Sequence, residues 1–330
     1  MNIQNDYMNK VNALALIFIL IYCISSVGYG IESSHKLIYA LCKLITNLGF
    51  PLLLMTFGAI MLKKHSNPLG CVKKTYKILI PPFILWNIIL GVLIVYYNGF
   101  HFFATTITEI NWFIWVLLSN VLIVPILSEF LDFDKESGIK YLLGMFIISS
   151  ILLSLSIQFD FSLYFIDLVF FAEPLSFMVL GYYLDNKEFK FDSNSIFIIS
   201  LIILLITLFL RVLLIRYGIA KWDAYFTQIF GTTLQISIDP FTIIEVSSIF
   251  LMIKSLNGFL SENSIVNFYS KKAFSLILVL GIFAFILSKL TFPFGWIKFT
   301  IFWTVLFLIV IGIVFFAFER IPFLKRFSSV

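Results

Sequence analysis

Long apolar runs separated by short polar loops dominate this sequence. A helix needs about 20 apolar residues, with a range of about 17–25, to cross a hydrocarbon core about 30 Å thick. Stretches of this kind lie at 11–30, 37–62, 78–97, 111–131, 141–158, 162–184, 196–217, 239–258, 273–291 and 298–319. The sequence therefore predicts an all-α, polytopic integral membrane protein, folded as a bundle of about ten transmembrane helices.

The composition excludes the other broad classes of protein. Of the 330 residues, 61% are apolar and 12% are charged, and the mean hydropathy is +1.03. Soluble globular chains have about 45–50% apolar and about 25% charged residues. A soluble enzyme, a disordered protein and a secreted disulfide scaffold are therefore excluded.

The basic residues predict the orientation in the membrane, because loops that stay in the cytoplasm are rich in Lys and Arg. With the N-terminus placed in the cytoplasm, most of the 23 Lys and Arg residues fall on the inner side. They cluster at 63–77, 135–140, 187–190, 254–272 and 320–326. We therefore expect a multi-pass protein of the cytoplasmic membrane with both termini inside. Its partners would be membrane lipids, and the positive net charge does not indicate nucleic acid.

Five polar residues within the predicted spans are candidates for function, because buried polar groups are costly in a bilayer. They are Asn12, Lys43, Glu173, Arg211 and Glu245. Lys43 has a structural explanation, since its stem can reach toward the outer surface. Asn12 can form a hydrogen bond between helices. For Arg211, pairing with Glu245 or Glu173 and a role in substrate binding both remain open.

Motifs for most kinds of chemistry are missing from the sequence. No glycine-rich phosphate loop is present, and no two histidines stand with a carboxylate at metal-ligand spacing, so we expect no metal site. The three cysteines, Cys23, Cys42 and Cys71, form no CxxC pair. The three histidines all lie outside the apolar runs.

Six stretches, taken together and in order, resemble one known family. They are residues 11–25 (VNALALIFILIYCIS), 47–58 (NLGFPLLLMTFG), 73–82 (KKTYKILIPP), 112–127 with WFIW and PIL, 180–184 (LGYYL) and 321–325 (IPFLK). The chain resembles the acyltransferase-3 family of bacterial membrane O-acyltransferases over essentially its whole length. This resemblance implies a single transmembrane domain covering residues 1–330.

The resemblance implies acetyl transfer from acetyl-CoA on the cytoplasmic side to a cell-surface glycan or a lipid-linked sugar. Acyl-CoA would be a donor substrate, with no cofactor bound permanently. The basic segment would then line the CoA pocket through Lys63, Lys64, Lys73, Lys74 and Lys77.

The catalytic positions depart from the family pattern. The first span of the family carries an Arg and, eleven residues later, a His, and Asn12 and Cys23 stand at those places. One hypothesis is that Cys23 acts as a thiol nucleophile that carries the acyl group. The alternative is a non-catalytic relative or a transporter that aids export or assembly of a cell-surface polysaccharide. A small-solute transporter is a further alternative.

Overall fold

The computed structural model describes residues 4–29, 36–63, 68–99, 111–133, 135–158, 174–216, 239–257, 263–290 and 295–321. Its helices are α1 (Gln4–Tyr29), α2 (Lys36–Thr46), α3 (Gly49–Met61), α4 (Pro68–Asn98), α5 (Trp112–Phe133), α6 (Lys135–Gln158), α7 (Pro174–Asn186), α8 (Ser193–Arg216), α9 (Pro240–Ser255), α10 (Ser264–Ser270), α11 (Ala273–Ser288) and α12 (Trp296–Arg320). Every regular element within these ranges is a helix, so the prediction of an all-α protein is confirmed.

Six described segments are long and apolar enough to cross a membrane, and a bent pair of helices would make seven. The six are Tyr7–Gly28, Leu41–Met61, Val72–Asn98, Trp112–Leu131, Ser193–Leu214 and Trp296–Arg320. These segments are helical because a backbone in hydrocarbon has to satisfy its own N–H and C=O groups. The multi-pass membrane character predicted from the sequence is therefore supported by six or seven apolar helices in the described part of the chain.

One predicted span is built from two helices, and another is preceded by a short helix. Residues 37–62 form α2 and α3, which are separated at Asn47 and Leu48 just before Gly49. Near residues 273–291, α11 is preceded by the short helix α10, and the two are bent by 71°. The predicted span at 162–184 is described only from Pro174 onward, as α7.

The described residues belong to two compact units. The first comprises Met1–Asn12, Phe50–Val72 and Ser119–Glu262, and it contains α3, α6, α7, α8 and α9. The second comprises Ala13–Gly49, Lys73–Leu118 and Asn263–Val330, and it contains α2, most of α4, α10, α11 and α12. Helices α1, α4 and α5 contribute residues to both units.

In the first unit, α3 and α7 approach each other through glycine. A Cβ atom added at Gly58 would lie 2.5 Å from the carbonyl carbon of Met178, and one added at Gly181 would lie 2.5 Å from that of Met55. A Cβ atom does not approach a non-bonded carbon atom this closely, so only glycine permits this crossing. Small residues are the usual means by which membrane helices bring their backbones together.

Helices α8 and α9 of the same unit pack through a polar seam. On α8 the buried polar residues are Ser200, Thr207 and Arg211, while the rest of its surface is rich in exposed isoleucine, leucine and phenylalanine. On α9, Thr242 and Glu245 are fully buried. An exposed apolar surface of this kind suits contact with lipid, because lipid tails are as apolar as leucine.

In the second unit, the elbow between α10 and α11 is fastened to α12. The Tyr269 hydroxyl donates a 2.8 Å hydrogen bond to the carbonyl oxygen of Leu308. The buried Lys272 pairs with Glu319 at 2.7 Å, and its ammonium lies 4.8 Å from the ring centre of Phe268 and 5.7 Å from that of Phe315. The bend is therefore held by specific contacts.

Candidate functional site

The basic segment that was predicted to bind CoA is divided between the two units. Lys73, Lys74 and Lys77 lie in the first half of α4, in the second unit, with exposed side chains. Lys63 follows α3 in the first unit. Lys64 lies outside the described residues. The three lysines of α4 are therefore available to an anionic ligand, and the pocket predicted from five lysines stays a prediction.

Lys63 belongs to a polar cluster around Asp185, whose side chain is almost completely buried at the end of α7. Its ammonium forms a 3.1 Å ion pair with Asp185 Oδ2. The hydroxyl of Tyr7 donates a hydrogen bond to Asp185 Oδ1, and the Tyr7 ring packs edge-on against Phe250 at 5.9 Å. Asp185 thereby ties α1 and the residue after α3 to the end of α7.

Lys254 completes this cluster, because it caps the C-terminal end of α7. Its ammonium donates hydrogen bonds to the carbonyl oxygens of Leu184 at 2.8 Å, Asp185 at 2.7 Å and Lys187 at 3.2 Å. The last carbonyls of a helix lack partners within the helix and carry partial negative charge, so a cation there is favourable. We define the Asp185 cluster as Tyr7, Lys63, Asp185 and Lys254.

Arg211 is the centre of a second, buried polar network between α8 and α9. Its Nη1 donates to Glu245 Oε2 at 2.8 Å and to the Thr242 hydroxyl at 3.2 Å, and its Nη2 donates to Asp239 Oδ2 at 2.8 Å. Of the two pairings considered from the sequence, the described structure contains Arg211 with Glu245. Glu173 lies outside the described residues.

Asp239 both neutralises Arg211 and caps α9. Its Oδ1 accepts from the backbone N–H of Thr242 at 3.0 Å, and its Oδ2 accepts from the Thr242 hydroxyl at 2.8 Å. Pro240 follows as the first residue of α9, a position that tolerates proline because its N–H would have no helical partner. Two carboxyl groups and a hydroxyl thus occupy Arg211, which favours a structural role over substrate binding.

Asn12 also has a partner in a neighbouring helix. The Thr56 hydroxyl, on α3, donates a hydrogen bond to Asn12 Oδ1. The same hydroxyl contacts the carbonyl oxygen of Leu53 at 2.9 Å. Asn12 therefore joins α1 to α3 in the first unit, as polar residues commonly do between membrane helices.

Cys23 and Lys43 lie in the second unit. Lys43 is exposed, and its ammonium lies 5.8 Å from the ring centre of Tyr22, the residue before Cys23. Cys23 itself is partly buried on α1. Within the described part of the chain, it has no hydrogen bond or ion pair with a basic group. A thiol nucleophile needs such a group to form the reactive thiolate.

Sequence reasoning missed Tyr7, Asp185, Asp239 and Lys254. Asp239 carried a usable signal, because Asp followed by Pro marks a helix start. Asp185 directly follows the LGYYL stretch but lies at a span end, where a solvated carboxylate is the ordinary expectation. Tyr7 and Lys254 gave no signal, since their roles depend on partners far away in the sequence.

Comparison of the chain with family models, with curated proteins and with solved structures finds no match. The candidate sites are therefore defined by the geometry above: the Asp185 cluster, the Arg211 network and the exposed lysines of α4.

Proposed function

We propose that the protein crosses the cytoplasmic membrane ten times, with both termini inside, and transfers an acetyl group from acetyl-CoA to a cell-surface glycan or a lipid-linked sugar. The Asp185 cluster supports the orientation. Lys63, Lys187 and Lys254 belong to three different basic loops that the charge distribution assigns to the inner side. Lys63 and Lys254 both bind the end of α7, and Lys187 contributes a carbonyl oxygen there.

The observation that carries the acyltransferase proposal is the crossing of α3 and α7. Gly58 closes one of the six stretches on which the family resemblance rests, and Gly181 lies within another, LGYYL. The two stretches are far apart in the sequence, yet their glycines mediate the same backbone contact. A shared packing role supports the view that these stretches are parts of one inherited architecture.

The exposed lysines of α4 suit the donor. CoA carries phosphate groups, which ammonium groups bind as point charges. Lys73, Lys74 and Lys77 lie within one and a half turns of α4 and present three such groups at the predicted inner side. The CoA phosphates would bind there, outside the hydrocarbon.

In the reaction, the acceptor hydroxyl oxygen attacks the thioester carbonyl carbon, the C–S bond breaks, and the hydroxyl proton ends on the CoA thiol. A direct transfer needs a base near the hydroxyl. In the alternative route, the sulfur of Cys23 first takes the acetyl group and releases CoA, and the acceptor oxygen then displaces the sulfur. Both routes give the same products.

A second candidate function is a non-catalytic relative or a transporter that aids export or assembly of a cell-surface polysaccharide. Two observations favour it. In the described residues, Cys23 has no basic partner, and Arg211 is paired with Asp239 and Glu245. The fold would then keep its packing while lacking the groups for proton transfer.

The test is transfer of labelled acetyl from acetyl-CoA to envelope glycans, in membranes that contain the parent protein or a variant. We expect transfer by the parent, its reduction in the variant with Lys73→Gln and Lys74→Gln, and its retention in the control Lys271→Gln, which removes an exposed charge outside α4. Absence of transfer by an inserted parent would favour the second candidate.

The role of Cys23 is tested in the same assay. Cys23→Ser should abolish transfer if the thiol carries the acetyl group, because a serine hydroxyl without a base is a far weaker nucleophile. Cys42→Ser is the matched control, since Cys42 is a free cysteine on α2 in the same unit. Transfer that survives Cys23→Ser would exclude the thiol route and leave the direct one.

The orientation is tested by labelling single cysteines with a membrane-impermeant reagent in a background without native cysteines. Cysteines placed at Lys73 and Lys271 should be protected in intact cells. A cysteine placed at Lys221, in a segment that the charge distribution assigns to the outer side, should react. Labelling at the Lys73 position from outside would reverse the proposed topology.

A further inference from the structure

Glu245 is a fully buried carboxyl group with an incomplete set of hydrogen bonds. Its Oε2 accepts one bond, from Arg211 Nη1 at 2.8 Å. Its Oε1 is buried and has no hydrogen-bond partner among the described residues. A carboxylate offers about four acceptor sites on its two oxygens, so most of this group's capacity is unused.

Asp239, on the same network, differs in this respect. Its oxygens accept hydrogen bonds from Arg211 and from the backbone N–H and hydroxyl of Thr242. A carboxylate that accepts several hydrogen bonds is stabilised as an anion. The guanidinium of Arg211 therefore has a well-satisfied counter-ion without Glu245.

The charges that act on Glu245 within the described structure are those of Arg211, on α8, and Asp239, at the start of its own helix. On α7, which packs against α9, the charged residue of the described part is Asp185, and it lies against Lys254. Lys254 follows Glu245 by nine residues, which corresponds to about 13 Å along a helix. On α6, Lys140 is an exposed residue in the first turns.

If Glu245 were an anion, one of its two buried oxygens would have no hydrogen-bond donor. Taking an ion out of water is costly even after the protein relaxes. A proton removes that cost. We propose that Glu245 is a proton-binding site, in which Oε1 carries a proton in the resting protein while Oε2 accepts from Arg211. The positive charge of Arg211 is then balanced by Asp239 alone. This inference is independent of the proposed acyl transfer.

Two matched variants test the proposal by thermal unfolding of the full chain in lipid nanodiscs. Glu245→Gln replaces a neutral acid by a neutral group of the same shape, and its folding needs no proton uptake, so we expect a Tm at least as high as that of the parent at neutral pH. Asp239→Asn removes the counter-ion of Arg211, so we expect a clearly lower Tm. A Glu245→Gln protein that loses as much Tm as Asp239→Asn, or that fails to fold, would overturn the proposal.

The pH dependence has a defined sign. A native state that keeps a proton which the unfolded chain releases becomes less stable as the pH rises. The Tm of the parent should therefore fall relative to that of Glu245→Gln as the pH rises above the ordinary pKa range of glutamate. The difference should level off once the native carboxyl also loses its proton. Parallel curves for the two proteins would contradict a proton at Glu245.

Infrared spectroscopy observes the proton directly. At neutral pH the parent should show a carbonyl stretch of a protonated carboxylic acid that shifts in D2O and disappears at alkaline pH. This band should be absent from Glu245→Gln. Identical spectra for the parent and Glu245→Gln would refute protonation of Glu245, whatever the Tm values are.

Discussion

Replacing Gly58 by alanine tests whether the crossing of α3 and α7 depends on glycine. The added Cβ would lie 2.5 Å from the carbonyl carbon of Met178, and its nearest contacts are all backbone atoms of that residue. Since carbon atoms pack at about 3.5–4.0 Å, the helices would have to separate by about 1 Å. Backbone atoms cannot turn away as a flexible side chain would.

The expected cost follows from overpacking, which typically destabilises by about 1–3 kcal/mol and occasionally by more. We expect the upper part of this range, because the clash is with backbone and the flanking residues Met55 and Met178 are completely buried. Alanine is a better helix former than glycine by up to about 1 kcal/mol, which offsets only part of the cost. Gly58→Ala should therefore lower the Tm.

Gly144→Ala is the matched control. Gly144 lies in α6 of the same unit, and a Cβ added there would meet nothing within 4 Å. The control should be neutral or slightly stabilising by helix propensity. The assay is thermal unfolding in detergent micelles, followed by far-UV circular dichroism and a tryptophan signal.

The partner glycine extends the test. Gly181→Ala should destabilise about as much as Gly58→Ala, because its Cβ would meet the backbone of Met55. In the double variant, the two effects should not add, since the first substitution already separates the helices. A Gly58→Ala protein as stable as Gly144→Ala would refute the reasoning about this crossing.

Three further predictions concern charged groups. Glu319→Gln should destabilise the protein by about 1–3 kcal/mol, because it leaves the ammonium group of Lys272 buried without its ion-pair partner. The loss should be smaller than the usual value of about 3–5 kcal/mol for a broken buried pair, because Glu319 is partly exposed. An unchanged denaturation midpoint would contradict this prediction. A double-mutant cycle of Tyr7→Phe and Asp185→Asn should give a coupling energy of at least about 0.5 kcal/mol. Additive effects of the two substitutions would show that the hydrogen bond between these side chains does not contribute to stability. Hydrogen bonds from a nearby serine hold the pKa of Asp192 below its ordinary value. The cap that Asp192 forms on α8 therefore stabilises the protein at pH values above the ordinary pKa of aspartate. This stabilisation is lost as the pH falls through the lowered pKa of the native state. Asp192→Ala should remove this part of the acid dependence of Tm.

The sequence by itself determined the class of the protein and the identity of its apolar helices. Residues 78–97, 111–131, 196–217 and 298–319 were predicted as spans, and helices cover nearly all of each. The physical reason is local, because a long apolar segment in lipid satisfies its backbone groups only within its own helix. The break before Gly49 also has a local explanation, because Gly49 and Pro51 lie in the first turn of α3.

Partners across the bundle were decided by the tertiary structure alone. The apolar runs are apolar on all faces, so periodicity does not identify the side that faces a neighbour. The sequence suggested Glu245 as one possible partner of Arg211. It did not indicate that the guanidinium group of Arg211 also binds Asp239. Lys63 looked like one of five equivalent lysines, but its ammonium binds Asp185 and those of α4 remain exposed. A buried charge takes its partner from whichever helix packs beside it, and that choice depends on how the backbones approach, as Gly58 and Gly181 allow α3 and α7 to do.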